Sequence, residues 1–210
     1  MSTHSSSAIL YYVYDPMCSW CWGYAPTWQK IKANLSDQIE VCYVLGGLAP
    51  DSDVAMPLAM QQQIASYWRK IEAYLGTPFN HDFWSNNTPR RSTYPSCRAA
   101  LAARWQGREV EMVKAIQEAY YLHAKNPSDD DVLLTLAQEI GLDMDTFRTD
   151  YASEALNIEF EQELDFARRI GASGFPSLIL RIGDQCQAVG VDYQNPQASV
   201  QTIESYLAAQ

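Results

Sequence analysis

Apolar residues run without a break from Ala8 to Tyr14, rich in Tyr, Ile and Val. Such a run predicts a strand buried on both faces, and Asp15-Pro16 ends it. From about Ser19 to Leu35 the period becomes helical, with Trp28, Ile31 and Leu35 at spacings of three and four. Pro26 lies inside that helix and predicts a kink, because it has no N–H to donate. Ile39 to Leu45 reads as a second strand, closed by Gly46-Gly47. Strand, helix and strand within one short stretch form a βαβ unit, with parallel strands and a right-handed crossover.

From about Pro57 to Ile170 the pattern is helical throughout. Pro57 to Leu75 predicts a helix closed by Gly76, followed by a polar, aromatic-bearing loop through Arg91. Thr93 to Trp105 and Arg108 to Lys125 predict two helices separated by Gly107. Ser128 reads as the N-cap of a further helix reaching Ile140, with Asp129, Asp130 and Asp131 in its first turn. A short helix over Asp145 to Tyr151 leads into Glu154 to Ile170, where Phe160, Leu164, Ala167 and Ile170 share a face. Strand character returns at Ser177 to Ile182 and Gln185 to Val189, around a Gly183-Asp184 hairpin turn. Asn195-Pro196 opens a last helix running to about Ala208. A βαβ half and a ββα half are thus separated by a long helical segment, which divides the chain into 1–52, 53–170 and 171–210.

Fifteen Lys and Arg face 25 Asp and Glu, a formal net charge of −10. Such a surface argues against nucleic acid or an anionic membrane as partner, since both require a basic face. With 47% hydrophobic residues the chain can bury a sizeable core. No apolar run approaches the ~20 residues that span a bilayer. The opening residues, Met1 to Ser7, carry no Lys, Arg or cleavage site of the signal-peptide type, so a cytoplasmic location is the expectation.

Five cysteines without framework spacing suggest metal or redox chemistry rather than a stapled secreted domain. Cys18-Ser19-Trp20-Cys21 sits where the first strand hands over to the first helix. Two thiols three apart can close a small disulfide ring, and the free N–H groups of a helix N-terminus stabilise a thiolate. Cys18, at the mouth of the helix, is the expected attacking sulfur. Cys21, one turn in, is the expected resolving sulfur. Half of a zinc site would need two more ligands. Cys42, Cys97 and Cys186 are widely separated, and His4, His81 and His123 show no paired spacing; no metal is expected. A pair of inert core cysteines is the other plain interpretation, but a C-x-x-C inside a βαβ unit is a redox signal.

Gly174-Phe175-Pro176, just before the third strand, is the candidate second half of the site. Pro is expected at a strand start, and an X-Pro bond there can be cis. Local sequence alone favours an ordinary trans Pro. Trp20, between the cysteines, is a candidate substrate contact, whereas Trp22 and Trp28 read as core. Asp15 is a candidate proton carrier for Cys21, although an Asp before Pro is commonly a turn residue. Cys97 reads as core, and Arg90-Arg91 as a solvated loop able to meet an anion.

Taken together, these residues resemble the DsbA-like thioredoxin-fold family. The segment Leu133 to Leu180, with Gly141-Leu142-Asp143 and the run from Ala167 to Ser177, is especially similar. The opening from Asp15 to Trp22 resembles the cytosolic branch related to FrnE-type oxidoreductases and 2-hydroxychromene-2-carboxylate isomerases. The resemblance covers nearly the whole chain from Ala8. It implies an α/β, thioredoxin-like fold with a large all-helical insertion after the second strand, Cys18 as nucleophile, Cys21 as resolving cysteine, and a cis Pro176 facing them. Periplasmic DsbA has Pro-His between its cysteines. This chain has Ser-Trp, so no His⁺ assists the thiolate and a strongly oxidising potential is not implied. The related isomerases and kappa-class transferases usually keep Ser in place of Cys18.

Thiol–disulfide oxidoreductase activity on a protein or small-molecule disulfide is therefore the leading expectation, through a mixed disulfide. No G-x-G-x-x-G fingerprint is present. No bound cofactor is expected, and electrons would come from an external thiol donor such as glutathione or a thioredoxin-type system. Two alternatives remain: a glutathione-dependent isomerase or transferase, and a redox-sensing adaptor that delivers proteins to a protease.

Overall fold

The computed structural model describes residues 8–209; the polar stretch 1–7, with His4 and Ser5-Ser6-Ser7, lies outside them. In chain order the elements are β1 (Ala8–Tyr14), α1 (Ser19–Ala33), β2 (Ile39–Leu45), α2 (Leu58–Leu75), α3 (Phe83–Asn86), α4 (Tyr94–Trp105), α5 (Glu109–Tyr121), α6 (Asp130–Glu139), α7 (Met144–Tyr151), α8 (Glu154–Arg169), β3 (Ser177–Ile182), β4 (Gln185–Val189) and α9 (Pro196–Ala208). The fold is thioredoxin-like. Its described strands pair in the order β2-β1-β3-β4, with β1 parallel to β2 and β3 antiparallel to both β1 and β4.

β1 is apolar at every position because it lies in the middle of the sheet and is covered on both faces. Leu10, Tyr12 and Tyr14 pack in the core that includes Ile31 of α1 and Ile203 of α9. Tyr11 and Val13 pack with Val44, Ile179 and Ala167 of α8. The insertion comprises α2 to α8, and its last helix serves the second face of the sheet directly. Within the insertion α4 touches α5, α6, α7 and α8. Ala99, Ala100, Leu101, Ala102 and Ala103 are all fully buried, as expected of a helix enclosed on every side. Small Ala side chains let those neighbours approach closely.

A charged cluster fastens the insertion to the sheet. The Arg104 guanidinium donates to both carboxylate oxygens of Glu109, at 2.8 and 2.6 Å, and to both of Glu163, at 2.9 Å. Tyr14 Oη donates to Glu109 at 2.8 Å, and the Leu45 N–H donates to Glu163 at 2.7 Å. One cation thus joins α4, α5 and α8 to the ends of β1 and β2.

Some sequence expectations need correction. The N-cap of α6 is Asp129, not Ser128, and Asp129 therefore precedes the first turn that Asp130 and Asp131 occupy. Ser128 Oγ instead donates to the Ser92 carbonyl at 2.7 Å, holding the loop before α4. Arg90 is not available to an external anion, because it donates to the Ser128 carbonyl and to Asp129, both at 2.6 Å. The loop after α2 contains the short helix α3, whose Phe83 joins an aromatic cluster with Trp68 and Tyr120. The helix expected to reach Lys125 stops at Tyr121, and Ala124 turns with φ 52°.

Candidate active site

The turn after β1 delivers both cysteines. The Cys18 N–H donates to the Asp15 carbonyl at 3.0 Å, and the Met17 N–H to Asp15 Oδ1 at 2.7 Å. Cys18 is the N-cap of α1, with no side-chain cap and no acidic residue in the first turn. Cys18 thus stands at the open N-terminal end of the helix, where a negative charge is favoured in general, while the buried Asp15 carboxylate lies on the turn before it. Cys18 and Cys21 are both free thiols, at 6% and 1% exposure. Burial pushes the Cys21 thiol well above its ordinary range. Its hydrogen bond with Cys18 and the charges of Cys18 and Asp15 act the same way, and only the Asp15 backbone N–H opposes them.

Phe175 meets Cys18 from the other half of the sheet. The Phe175–Pro176 bond is cis, and Cys18 Sγ donates to the Phe175 carbonyl at 3.5 Å. Pro176 is buried, Phe175 half-buried and Gly174 exposed. The Phe175 ring lies on Gly46 so closely that a Cβ there would sit 1.8 Å from ring atom Cε1. Glycine is required for this contact, not for backbone strain. Gly46→Ala is expected to turn the half-buried ring away and slow disulfide exchange. Overpacking costs ~1–3 kcal/mol when nothing can yield, so a stability loss below that range, measured by urea unfolding, is the expected companion. An unchanged exchange rate would show that the Phe175 contact is irrelevant to the site.

Trp20 is half-buried, edge-on to Tyr193 at 5.1 Å and under the Lys70 ammonium at 5.9 Å. Trp28 is core, stacked on Tyr12 at 4.5 Å. Trp22 bridges α1 to the insertion by stacking on Tyr121 at 5.7 Å and donating to the Pro78 carbonyl. The Tyr121 hydroxyl is buried without a hydrogen-bond partner among the described residues, and the charges of Cys18, Cys21 and Asp15 all bear on it. Behind Cys21, a cleft of about 310 Å³ opens between α1 and α5.

Asp15 is both a turn residue and a fully buried acid. Its Oδ2 accepts from the Leu48 N–H at 2.6 Å, Thr93 Oγ1 at 2.6 Å and Cys97 Sγ at 3.5 Å. Burial raises its pKa, and these bonds with the one from Met17 oppose the rise. Leu48 and Thr93 did not stand out in the sequence, where they lie 33 and 78 residues from Asp15. Cys97 is core, as its helix position suggested, but its thiol ends on the Asp15 carboxylate. Among the described residues, no group of three or more His, Cys, Asp or Glu side chains converges as a metal site requires.

A family model described as thioredoxin matches residues 11–197. The chain belongs to the thioredoxin family. Its likeness to DsbA-type members extends to solved structures. A Nitrosomonas europaea protein assigned as a protein disulfide isomerase superposes with a TM-score of 0.85 at 25% identity, covering 97% of this chain and 99% of that one. The cytosolic disulfide reductase DsbM from Pseudomonas aeruginosa gives 0.76 at 25% identity, covering 96% and 100%, and has also been solved with glutathione. Among curated relatives, the ClpXP adapter protein SpxH of Bacillus subtilis is 27% identical over 173 residues, 80% of this chain and 56% of the relative. The chain spans about half the length of the curated relatives it matches. No described helix is long and apolar enough to cross a membrane.

Proposed function

We propose that the protein is a cytosolic thiol–disulfide oxidoreductase working in the reducing direction. The observation that carries this is the free Cys18 and Cys21 thiols at the start of α1, with Cys18 Sγ set against the Phe175 carbonyl. Cys18 attacks a disulfide of a protein or small-molecule substrate, and one substrate sulfur leaves as a thiol. Cys21 gives its proton to Asp15, attacks Cys18 and releases the second substrate thiol, leaving the Cys18–Cys21 disulfide. An external dithiol or two glutathione molecules then return the two electrons. Trp20 and the Gly174–Phe175–Pro176 segment contact the substrate, whose extended backbone can pair with the Gly174–Phe175 edge.

Similarity to the cytosolic reductase DsbM supports the direction, as does Ser19-Trp20, which brings no positive charge between the cysteines. The test is insulin reduction with a thiol donor. Acceleration is expected. Rapid oxidation of reduced, unfolded protein without insulin reduction would reverse the direction but keep the exchange chemistry. A glutathione-dependent isomerase would keep its activity after loss of Cys21; an oxidoreductase would not.

The relatives named as ClpXP adapters favour a second role, in which the same dithiol controls binding of a protein client. Addition of the purified protein to a reconstituted ClpXP degradation assay tests this. Client turnover that depends on the oxidation state of Cys18 and Cys21 is the supporting result.

A further inference from the structure

The exchange chemistry proposed above needs Asp15 as a carboxylate at the moment Cys21 gives up its proton. Asp15 is fully buried, and its partners are uncharged donors. Two of them, the Met17 and Leu48 N–H groups, are backbone and present whatever the local side chains. The other two, Thr93 and Cys97, both belong to the start of α4, in the insertion. The Thr93 hydroxyl has two acceptors in reach, Asp15 Oδ2 at 2.6 Å and the Ala49 carbonyl at 3.4 Å, and the shorter one takes its proton. Thr93 Oγ1 accepts the Ala49 N–H at 3.0 Å, so its own proton is free to point at Asp15 Oδ2. Oδ2 then receives three donors and Oδ1 only one. A proton arriving at Asp15 therefore has room on Oδ1 and none on Oδ2.

We propose that Thr93 and Cys97 are positioning residues for the resolving step: they saturate Asp15 Oδ2, keep Asp15 ionised between turnovers, and leave Oδ1 to take the proton of Cys21. Asp15 and Cys21 are held near one another by the turn into α1, in which the Cys18 N–H donates to the Asp15 carbonyl at 3.0 Å, and the Asp15 charge bears on the Cys21 thiol. The step balances. The Cys21 S–H bond breaks, the proton passes to Oδ1, and the Cys21 sulfur forms its bond to Cys18 as the Cys18–substrate bond breaks. The substrate leaves as a thiolate and recovers a proton from Asp15 or water. The titratable groups facing Asp15 are Cys21 on α1, Tyr94 and Cys97 on α4, and Tyr120 and Tyr121 on α5, with Arg91 bearing on Tyr120. Burial holds the thiol and the two α5 phenols well above the neutral range. Asp15 is therefore the member of this group that changes charge as the pH falls from neutral.

The test follows decay of a preformed Cys18 mixed disulfide with a small aromatic thiol, in the full chain, from pH 4 to 9. The rate should rise with pH through one midpoint. Donors to a carboxylate stabilise its charged form, so removing them moves that midpoint up. Thr93→Val and Cys97→Ala should each shift it upward, and the double variant by about one unit, a tenfold slowing on the acid side. Thr93→Ser, which keeps the hydroxyl, should restore the wild-type profile. If the variants lower the rate equally at every pH, Thr93 and Cys97 are structural only and the inference fails. If the wild-type protein forms no mixed disulfide, or forms one that Cys21 does not resolve, the oxidoreductase proposal itself fails. Proton loss from Cys21 directly to water in the cleft behind it predicts a midpoint that none of these variants moves.

Discussion

Cys18→Ser is expected to abolish disulfide exchange, whereas Cys21→Ser should leave the substrate attached to Cys18. The difference follows from position. Cys18 caps α1 at the open N-terminal end of the helix, and its sulfur donates to the Phe175 carbonyl along which a substrate would lie. Cys21 is 1% exposed, and burial raises its thiol well above the ordinary range, so it does not begin an attack. Its use is intramolecular, once Cys18 is already bound to substrate. Incubation with a disulfide substrate, followed by intact-mass measurement without reductant, reads the outcome. The Cys21→Ser protein should carry one substrate adduct on Cys18, and the Cys18→Ser protein none. Alkylation with iodoacetamide near neutral pH should correspondingly label Cys18 before Cys21. An adduct found on Cys21 would reverse the two roles.

Arg104→Ala should have the largest effect on stability. The guanidinium is shared by Glu109 and Glu163, whose side chains are 11% and 10% exposed. Its removal leaves two carboxylates facing each other with their cation gone. Breaking such a pair from one side costs ~3–5 kcal/mol, mainly through the uncompensated buried charge. Urea unfolding at pH 7 measures it, and a loss below about 1 kcal/mol would refute this account of the cluster. The pH dependence has a definite sign. Burial raises the Glu163 pKa, and Arg104 is the chief opposing influence, so the variant raises it further. The folded state then binds more protons than the unfolded one, and stability falls as pH rises. The deficit of Arg104→Ala should therefore shrink on moving from pH 8 toward pH 5.

These expectations draw unequally on sequence and structure. The strands, most helix boundaries and the dithiol at the start of α1 were legible because each is written in local periodicity and local chemistry. An apolar run buried on both faces, a C-x-x-C at a strand–helix junction and a Gly183-Asp184 hairpin need only short-range information. Resemblance to known relatives supplied the rest of the architecture, including the cis Phe175–Pro176 bond, where local sequence favours an ordinary trans strand opener. Ser128 has the chemistry of a cap, but the carbonyl that claims its hydroxyl belongs to Ser92 on another loop, and the cap position falls to Asp129.

The surroundings of the dithiol were decided by the tertiary structure alone. Asp15 looked like a turn residue and is one, yet the same carboxylate is buried under donors from Leu48, Thr93 and Cys97. Nothing in the spacing of those residues marks them as neighbours, since a hydrogen bond between positions 78 and 82 residues apart has no periodic signature. The same holds for Arg104 and Glu163, and for Gly46 under Phe175. Periodicity in this chain determined which residues turn inward. Which polar group each of them meets there was settled only when the sheet and the insertion closed on one another, because burial makes an unpartnered carboxylate or guanidinium too costly to leave in place.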